Sequence, residues 1–212
     1  MKLSFIKPRC ELQPYLESIW IFESPNGLAS ADSSIAAPNG SPKLLFLCEN
    51  SLISFSNGET QISPPQKLYF VGNKQHTTLL RSSSRQTSFI GIEFSPHGAF
   101  SVFGIPMSET FDRPWEADAL FGNWAPETQE VLNSLERADQ KVAFIQEQLI
   151  LLVRKNARDS RLVEFCVSTL KSSDGRVSVT ELERKTGYSR RYLDLLFHER
   201  VGLPPKVLAG MI

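Results

Sequence analysis

Arg190 and Arg191, with Asp194 one helical turn later, are the residues of this 212-residue chain whose types and spacing point to the most definite chemistry. Two adjacent guanidinium groups at the start of a helix oppose the helix dipole. A DNA site would repay that cost, because the guanidinium fork fits guanine O6 and N7, or a phosphate, with paired hydrogen bonds. The expected assignment puts Arg191 and Asp194 in a major groove and Arg190 on phosphate, with Ser189 and Lys206 completing the DNA-facing set. The plain alternative is a solvated surface pair. Catalytic chemistry has much less to stand on. Cys48 precedes Glu49 at the end of an apolar run, but no histidine partner is implied locally. His76 and His97 have no third ligand at a metal-binding spacing, and no glycine-rich phosphate cradle occurs. Neither enzyme activity nor a metal or cofactor is expected.

The elements that must position the arginines are legible around them. Ser178 is placed to cap a helix, with Glu181 three residues on as its capping-box partner. Val179 and Leu182 can face a core shared with Leu162 and Phe165. Gly187 supplies the backbone freedom to leave that helix, Tyr188 can plug the turn, and Ser189 caps a second helix. Leu193, Leu196 and Phe197 recur at three and four residues and must face inward. The pattern is helix, tight turn, helix, as in DNA readers.

Charge follows the same division. Residues 1–153 hold 11 Lys and Arg against 16 Asp and Glu, a net of −5, whereas residues 154–212 hold 12 against 7, a net of +5. A basic module behind an acidic body suits nucleic-acid binding, although a solvated surface would also account for it. The three cysteines, Cys10, Cys48 and Cys166, are far apart and form no disulfide or zinc pattern, so a reducing compartment is expected. The start of the chain does not read as a signal peptide and no run approaches a membrane span; the expectation is a cytoplasmic protein with no membrane partner.

Residues 1–112 read as strands. Pro25-Asn26-Gly27, Pro38-Asn39-Gly40, Asn57-Gly58 and Pro64-Pro65 punctuate short apolar runs at 43–47, 52–55, 68–71 and 87–94, and Asn57-Gly58 predicts a tight hairpin. In the last run Phe89, Gly91 and Glu93 oppose Ile90, Ile92 and Phe94, giving one apolar and one mixed face. Residues 81–85 read as a polar loop. Residues 97–104 read as a short helix ending at a glycine cap, and 115–124 as irregular or short-helical. Helices follow at 126–137, through Val131, Leu132 and Leu135, and at 140–156, through Val142, Phe144, Ile145, Leu149, Leu152 and Val153. The latter is expected to pack within the chain, with a role in pairing two copies as a further use. Asp159-Ser160 precedes a helix at 161–171, buried through Leu162, Phe165, Cys166 and Leu170. The fold class expected is α+β: an antiparallel β-barrel or sandwich, then helices. The division expected is a barrel-like domain at 1–112, a helical linker at 113–157 and a helix-turn-helix unit at 158–212.

The stretch through Leu182, Gly187, Ser189, Leu193 and Phe197, and then Gly202, Pro205 and Lys206, resembles the first of two helix-turn-helix motifs in AraC-type transcriptional regulators. Upstream, residues 12–20, the Pro38-Asn39-Gly40 turn, residues 90–99 and Gly104-Ile105-Pro106 resemble the barrel-like domain of one subgroup of these regulators. The resemblance implies a cupin-like barrel that binds a small effector or forms homodimers, with double-stranded DNA as partner. Trp20, Phe46, Phe70, His76 and Phe94 are the residues expected to line an effector pocket, plain core packing being the alternative for each. The chain also departs from the pattern. Glu183 stands where Ala is common and must tilt outward or pair, with Arg190 or Arg191 as candidates. Leu195 stands where Arg is common, which alters base readout. Residues 208–212 resemble the start of a linker helix that leads, in the family, to a second motif. The expectation is therefore a truncated chain that binds DNA weakly alone unless dimerisation supplies two half-sites. The rival expectation is a sensing or protein-interaction module whose helix-turn-helix no longer reads DNA.

Overall fold

The structure, a computed structural model, describes residues 2–26, 28, 34–82, 86–110, 113–156 and 160–212. Among the described residues ten strands form two antiparallel sheets. They are β1 (Lys2–Ile6), β2 (Leu16–Ser24), β3 (Ser34–Ala36), β4 (Lys43–Glu49), β5 (Leu52–Ser56), β6 (Glu59–Ser63), β7 (Lys67–Val71), β8 (Thr78–Ser82), β9 (Thr87–Phe94) and β10 (Pro114–Glu116). The larger sheet runs β1-β2-β9-β4-β7-β10 and the smaller β3-β8-β5-β6. The α-helices among the described residues are α1 (Gly98–Phe103), α2 (Ala117–Phe121), α3 (Trp124–Ser134), α4 (Ala138–Lys155), α5 (Arg161–Ser172), α6 (Val179–Thr186), α7 (Arg190–Arg200) and α8 (Pro205–Ala209). The class is α+β, as the sequence predicts.

Successive side chains on a strand point to opposite faces, and that alternation builds two cores. Leu44, Phe46, Leu68, Phe70, Ile90, Ile92 and Phe94 point from the larger sheet into a core closed by α1 to α4. Phe103 of α1 stacks on Phe121 of α2, with ring centroids 3.8 Å apart, over Phe70 and Phe94. The opposite face of the sheet, with Trp20, Leu45, Leu47, Tyr69 and Phe89, meets Leu52 and Leu80 of the smaller sheet. Covered on both sides, β9 leaves Ser88 and Glu93 partly open among its residues; the mixed face through Phe89, Gly91 and Glu93 is otherwise buried. The Asn57-Gly58 hairpin forms as predicted, with φ of 50° and 80°.

Several local expectations are corrected. Pro114–Glu116 is not irregular: it adds a strand to β7, so the sheet runs past residue 112. Arg81 and Ser82 end β8 rather than lying in a loop; Ser83, Ser84 and Arg85 lie outside the described residues, as do Gly27 of the first turn and Asp159 before α5. On α3 the buried positions are Ala125, Thr128 and Leu132; Val131 faces solvent and Leu135 follows the helix. On α5 they are Val163, Cys166, Val167 and Leu170, an i, i+3, i+4, i+7 set that leaves Phe165 exposed and Leu162 at the margin. α4 buries Val142, Ile145, Leu149 and Ile150 against the sheet, the expected packing within one chain.

Candidate functional site

Two sites emerge. The first is the outer face of α7. Ser178 Oγ accepts the Glu181 N–H at 3.1 Å and starts α6. The Glu181 carboxylate pairs with Lys185 at 3.3 Å. Gly187, at φ 75°, ends α6 in the left-handed region where a side chain would be strained. Tyr188 does not plug the turn; it lies outside, stacked on Tyr192 with ring centroids 4.9 Å apart. Ser189 Oγ accepts the Tyr192 N–H at 3.4 Å and caps α7. Leu193, Leu196 and Phe197 face the core, with Leu182, Val163 and Cys166.

Glu183 resolves the problem posed by its own charge. Its Oε1 accepts the backbone N–H of Arg190 at 2.6 Å. A carboxylate thus sits at the start of α7, where the helix dipole favours it and where it offsets the two arginines. Arg190 Nε lies 3.7 Å from Asp194 Oδ2, both groups largely exposed. Arg190, Arg191, Asp194 and Lys206 line one shallow groove between α7 and α8, together with Leu195, His198 and Pro204. Four of the five expected DNA-facing residues therefore meet, and the fifth, Ser189, serves as the cap. Leu195 and His198 join them, at four and seven residues from Arg191 respectively, a spacing visible along α7 itself.

The second site is a cavity of about 160 Å³ between the two sheets. Its floor is apolar, with Trp20, Leu45, Leu47, Leu52, Leu80 and Phe89, and its rim carries Asn39, Lys43, Asn73, Lys74 and Thr78. Lys43 is held by Glu93 at 3.2 Å. Burial would push the Glu93 carboxyl up, but Lys43 together with hydrogen bonds from Asn39 and Ser18 outweighs it and holds the carboxyl below its ordinary value. Lys74 Nζ donates to Thr78 Oγ1 at 2.9 Å.

Of the five residues expected to line an effector pocket, only Trp20 does so. Phe46, Phe70 and Phe94 point the other way, fully buried under the helices. For these three the alternative of plain core packing holds, because successive residues of a strand face opposite sides of the sheet. Leu45, Leu47 and Val71, chain neighbours of Phe46 and Phe70, line the cavity instead, together with Phe89. His76 is exposed on the loop after β7. Among the described residues no group of three or more His, Cys, Asp or Glu is placed to hold a metal ion, and no helix is long and apolar enough to cross a membrane.

Comparison with known proteins places the chain at the level of family. Over 44% of its length it is similar to protein NMB1881 from Neisseria meningitidis (15% identity, 84% of that chain, TM-score 0.34). Over 43% it is similar to KdgF from a Halomonas species (8% identity, 76% of that chain, TM-score 0.34). Over 43% it is also similar to the EutQ protein of Clostridium difficile (13% identity, 65% of that chain, TM-score 0.32). Similarities so remote carry no function across. No curated protein sequence matches the chain. Residues 4–116, from the first strand to the last, match the domain of unknown function DUF6597, and on that match over more than half its length the chain belongs to the DUF6597 family.

Proposed function

We propose that the chain is a sequence-specific DNA-binding regulator of AraC type whose two-sheet domain senses a small molecule. The observation that carries the reading is the groove on α7, where Arg190, Arg191 and Lys206 are exposed around a helix capped at its start by Ser189 and Glu183. A recognition helix must present its first turns to base edges, and these residues occupy those turns. The sheet domain contributes a concave, mainly apolar cavity with a few polar groups, the form that small-molecule sites take. Catalysis is not part of the reading: burial pushes the Cys48 thiol up to about 11, which leaves it unreactive as a nucleophile.

The test is selection of bound duplexes from a random library, followed by titration of the enriched sequence across salt concentrations. Specific binding is expected, with log affinity falling against log salt at a slope of about −2 if Arg190 and Lys206 each neutralise one phosphate. No enrichment, or affinity independent of salt, would overturn the reading.

A second reading has its own observation. Tyr188, Tyr192 and Leu195 are exposed on the same module, and Asp194 occupies Arg190. A face with this much apolar surface suits a protein partner, and a helix-turn-helix that fails the selection but binds a protein would support that alternative.

A further inference from the structure

The amide of Asn73 joins the two sites. Asn73 lines the cavity rim, 2% exposed, and its Nδ2 donates to the Val201 carbonyl at 2.6 Å. Val201 is the residue that closes α7, its own N–H bonded to the Phe197 carbonyl. A carbonyl can only accept, so the amide cannot be turned round: the atom left over is Oδ1, an acceptor. That Oδ1 is buried and has no hydrogen-bond partner among the described residues. A buried acceptor without a donor is costly, and native structures rarely leave one without a purpose. The cavity that Asn73 lines is about 160 Å³, close to the roughly 150 Å³ that suffices for benzene in an apolar protein cavity. Lys43 is paired with Glu93 and Lys74 donates to Thr78, and the group left unmet is an acceptor, which a hydroxyl or amine can satisfy and a bare anion cannot.

We propose that the inter-sheet cavity takes a neutral single-ring compound of about benzene size bearing one hydroxyl or amine, which donates to Asn73 Oδ1 and thereby tightens the Asn73–Val201 bond that holds the recognition helix on the sheet domain. This deepens the regulator reading and rests on it for the meaning of the coupling. A donor on Oδ1 polarises the amide and strengthens its Nδ2–H donation. It also fixes the side chain in the conformation that reaches Val201. Linkage is reciprocal: whatever holds the module in place raises affinity for the ring, by the same factor by which the ring holds the module.

The probes are phenol, which has the ring and the donor, and toluene, which has the ring alone. Their affinities for the full chain are measured by calorimetry, and amide hydrogen exchange is followed across residues 197–208. Phenol is expected to bind about tenfold more tightly than toluene, the usual worth of one buried hydrogen bond. Phenol should also slow exchange in 197–208, whereas toluene should not. Asn73→Ala should equalise the two affinities and remove the effect on exchange. Leu80→Trp fills the cavity floor with Asn73 intact and should abolish binding of both rings, which guards against an Asn73 variant that fails to fold. Equal affinities in the wild type, phenol binding without slower exchange, phenol binding that survives Leu80→Trp, or no binding of either ring would each overturn the proposal. DNA selection on the same preparation separates the two claims. The ring pattern without DNA binding leaves the cavity assignment standing and removes the regulator reading, and DNA binding without the ring pattern does the reverse.

Discussion

Glu183 shows how one side chain can look wrong in sequence and be right in place. The residue stands where a small apolar side chain would pack, yet its carboxylate accepts the Arg190 N–H and occupies the positive end of α7. Glu183→Ala should therefore destabilise the module rather than relieve it, by about 1 kcal/mol, as loss of a helix cap does. Urea denaturation of wild type and variant checks this, and a more stable variant would mean the charge is tolerated rather than used. Legibility at this scale depends on neighbours. Ser178, Gly187 and Ser189 were readable because a cap or a turn is a local event, fixed within four residues. The role of Glu183 needed the turn of α6 onto α7, seven residues away, and the sequence could offer only outward tilt or pairing. In the sequence His97 shows only that no third ligand stands at a metal-binding spacing from it and His76, and its environment is not legible at all. It is 4% exposed, its Nδ1 has no partner among the described residues, and burial, with Lys171 nearby, lowers its imidazole to about 4. A neutral imidazole in the fold and a pKa of about 6.5 in the unfolded chain make the unfolded state the better proton binder between those values. Stability from this group is thus complete above about pH 6.5 and is lost as pH falls toward about 4, by on the order of 3 kcal/mol. Denaturation midpoints between pH 7 and pH 4 should show the decline, and His97→Gln should flatten it; an unchanged profile in that variant would assign the decline to other groups.

At the scale of elements, α7 divides its work between faces. Leu193, Leu196 and Phe197 fix the helix to its core, and the remaining face is free to carry Arg190, Arg191, Leu195 and His198. Arg190 already has an ion pair with Asp194, whereas among the described residues Arg191 has no ion-pair partner on that helix, so the two should behave differently on an operator. Arg191→Ala is expected to relax base preference at a cost of roughly 1–3 kcal/mol, whereas Arg190→Ala should weaken all sequences alike and reduce the salt slope by about 1. Competition binding with single-base variants of the selected operator distinguishes them, and identical profiles would sink the division. The same element scale explains why some helix faces were misread. On α5 the apolar residues Leu162, Val163, Phe165, Cys166, Val167 and Leu170 nearly encircle the helix, and several stripes fit the periodicity. Only the positions of α6 and α7 select the one through Val163 and Val167.

At the scale of the molecule, the helix-turn-helix unit is seated on the sheet domain rather than tethered to it. Asn73 holds Val201 across 128 residues of chain, Lys171 of α5 pairs with Glu17 of β2, and Arg200 of α7 lies over the Phe100 ring of α1 at 5.3 Å. Gly40, at φ 69°, brings its backbone against Leu208 of α8, where an added methyl group would overlap the leucine side chain. None of this was legible, because the sequence carries strong signals for each module and almost none for contacts between residues so far apart. The consequence is thermodynamic. With a shared boundary of buried groups, the two modules should unfold together, so calorimetry should give a single transition whose van't Hoff and calorimetric enthalpies agree. Gly40→Ala strains the backbone and pushes on Leu208 at once, so it should cost more than about 1 kcal/mol and fall on the boundary rather than on either core. The expected signature is a transition that splits, with the α5–α8 unit melting first and residues 201–208 losing amide protection before the sheets do. A variant that loses stability but keeps one transition would locate the cost within the sheet domain, and a wild type that already melts in two steps would mean that the contacts at Asn73, Gly40 and Glu17 do not bind the modules into one cooperative unit.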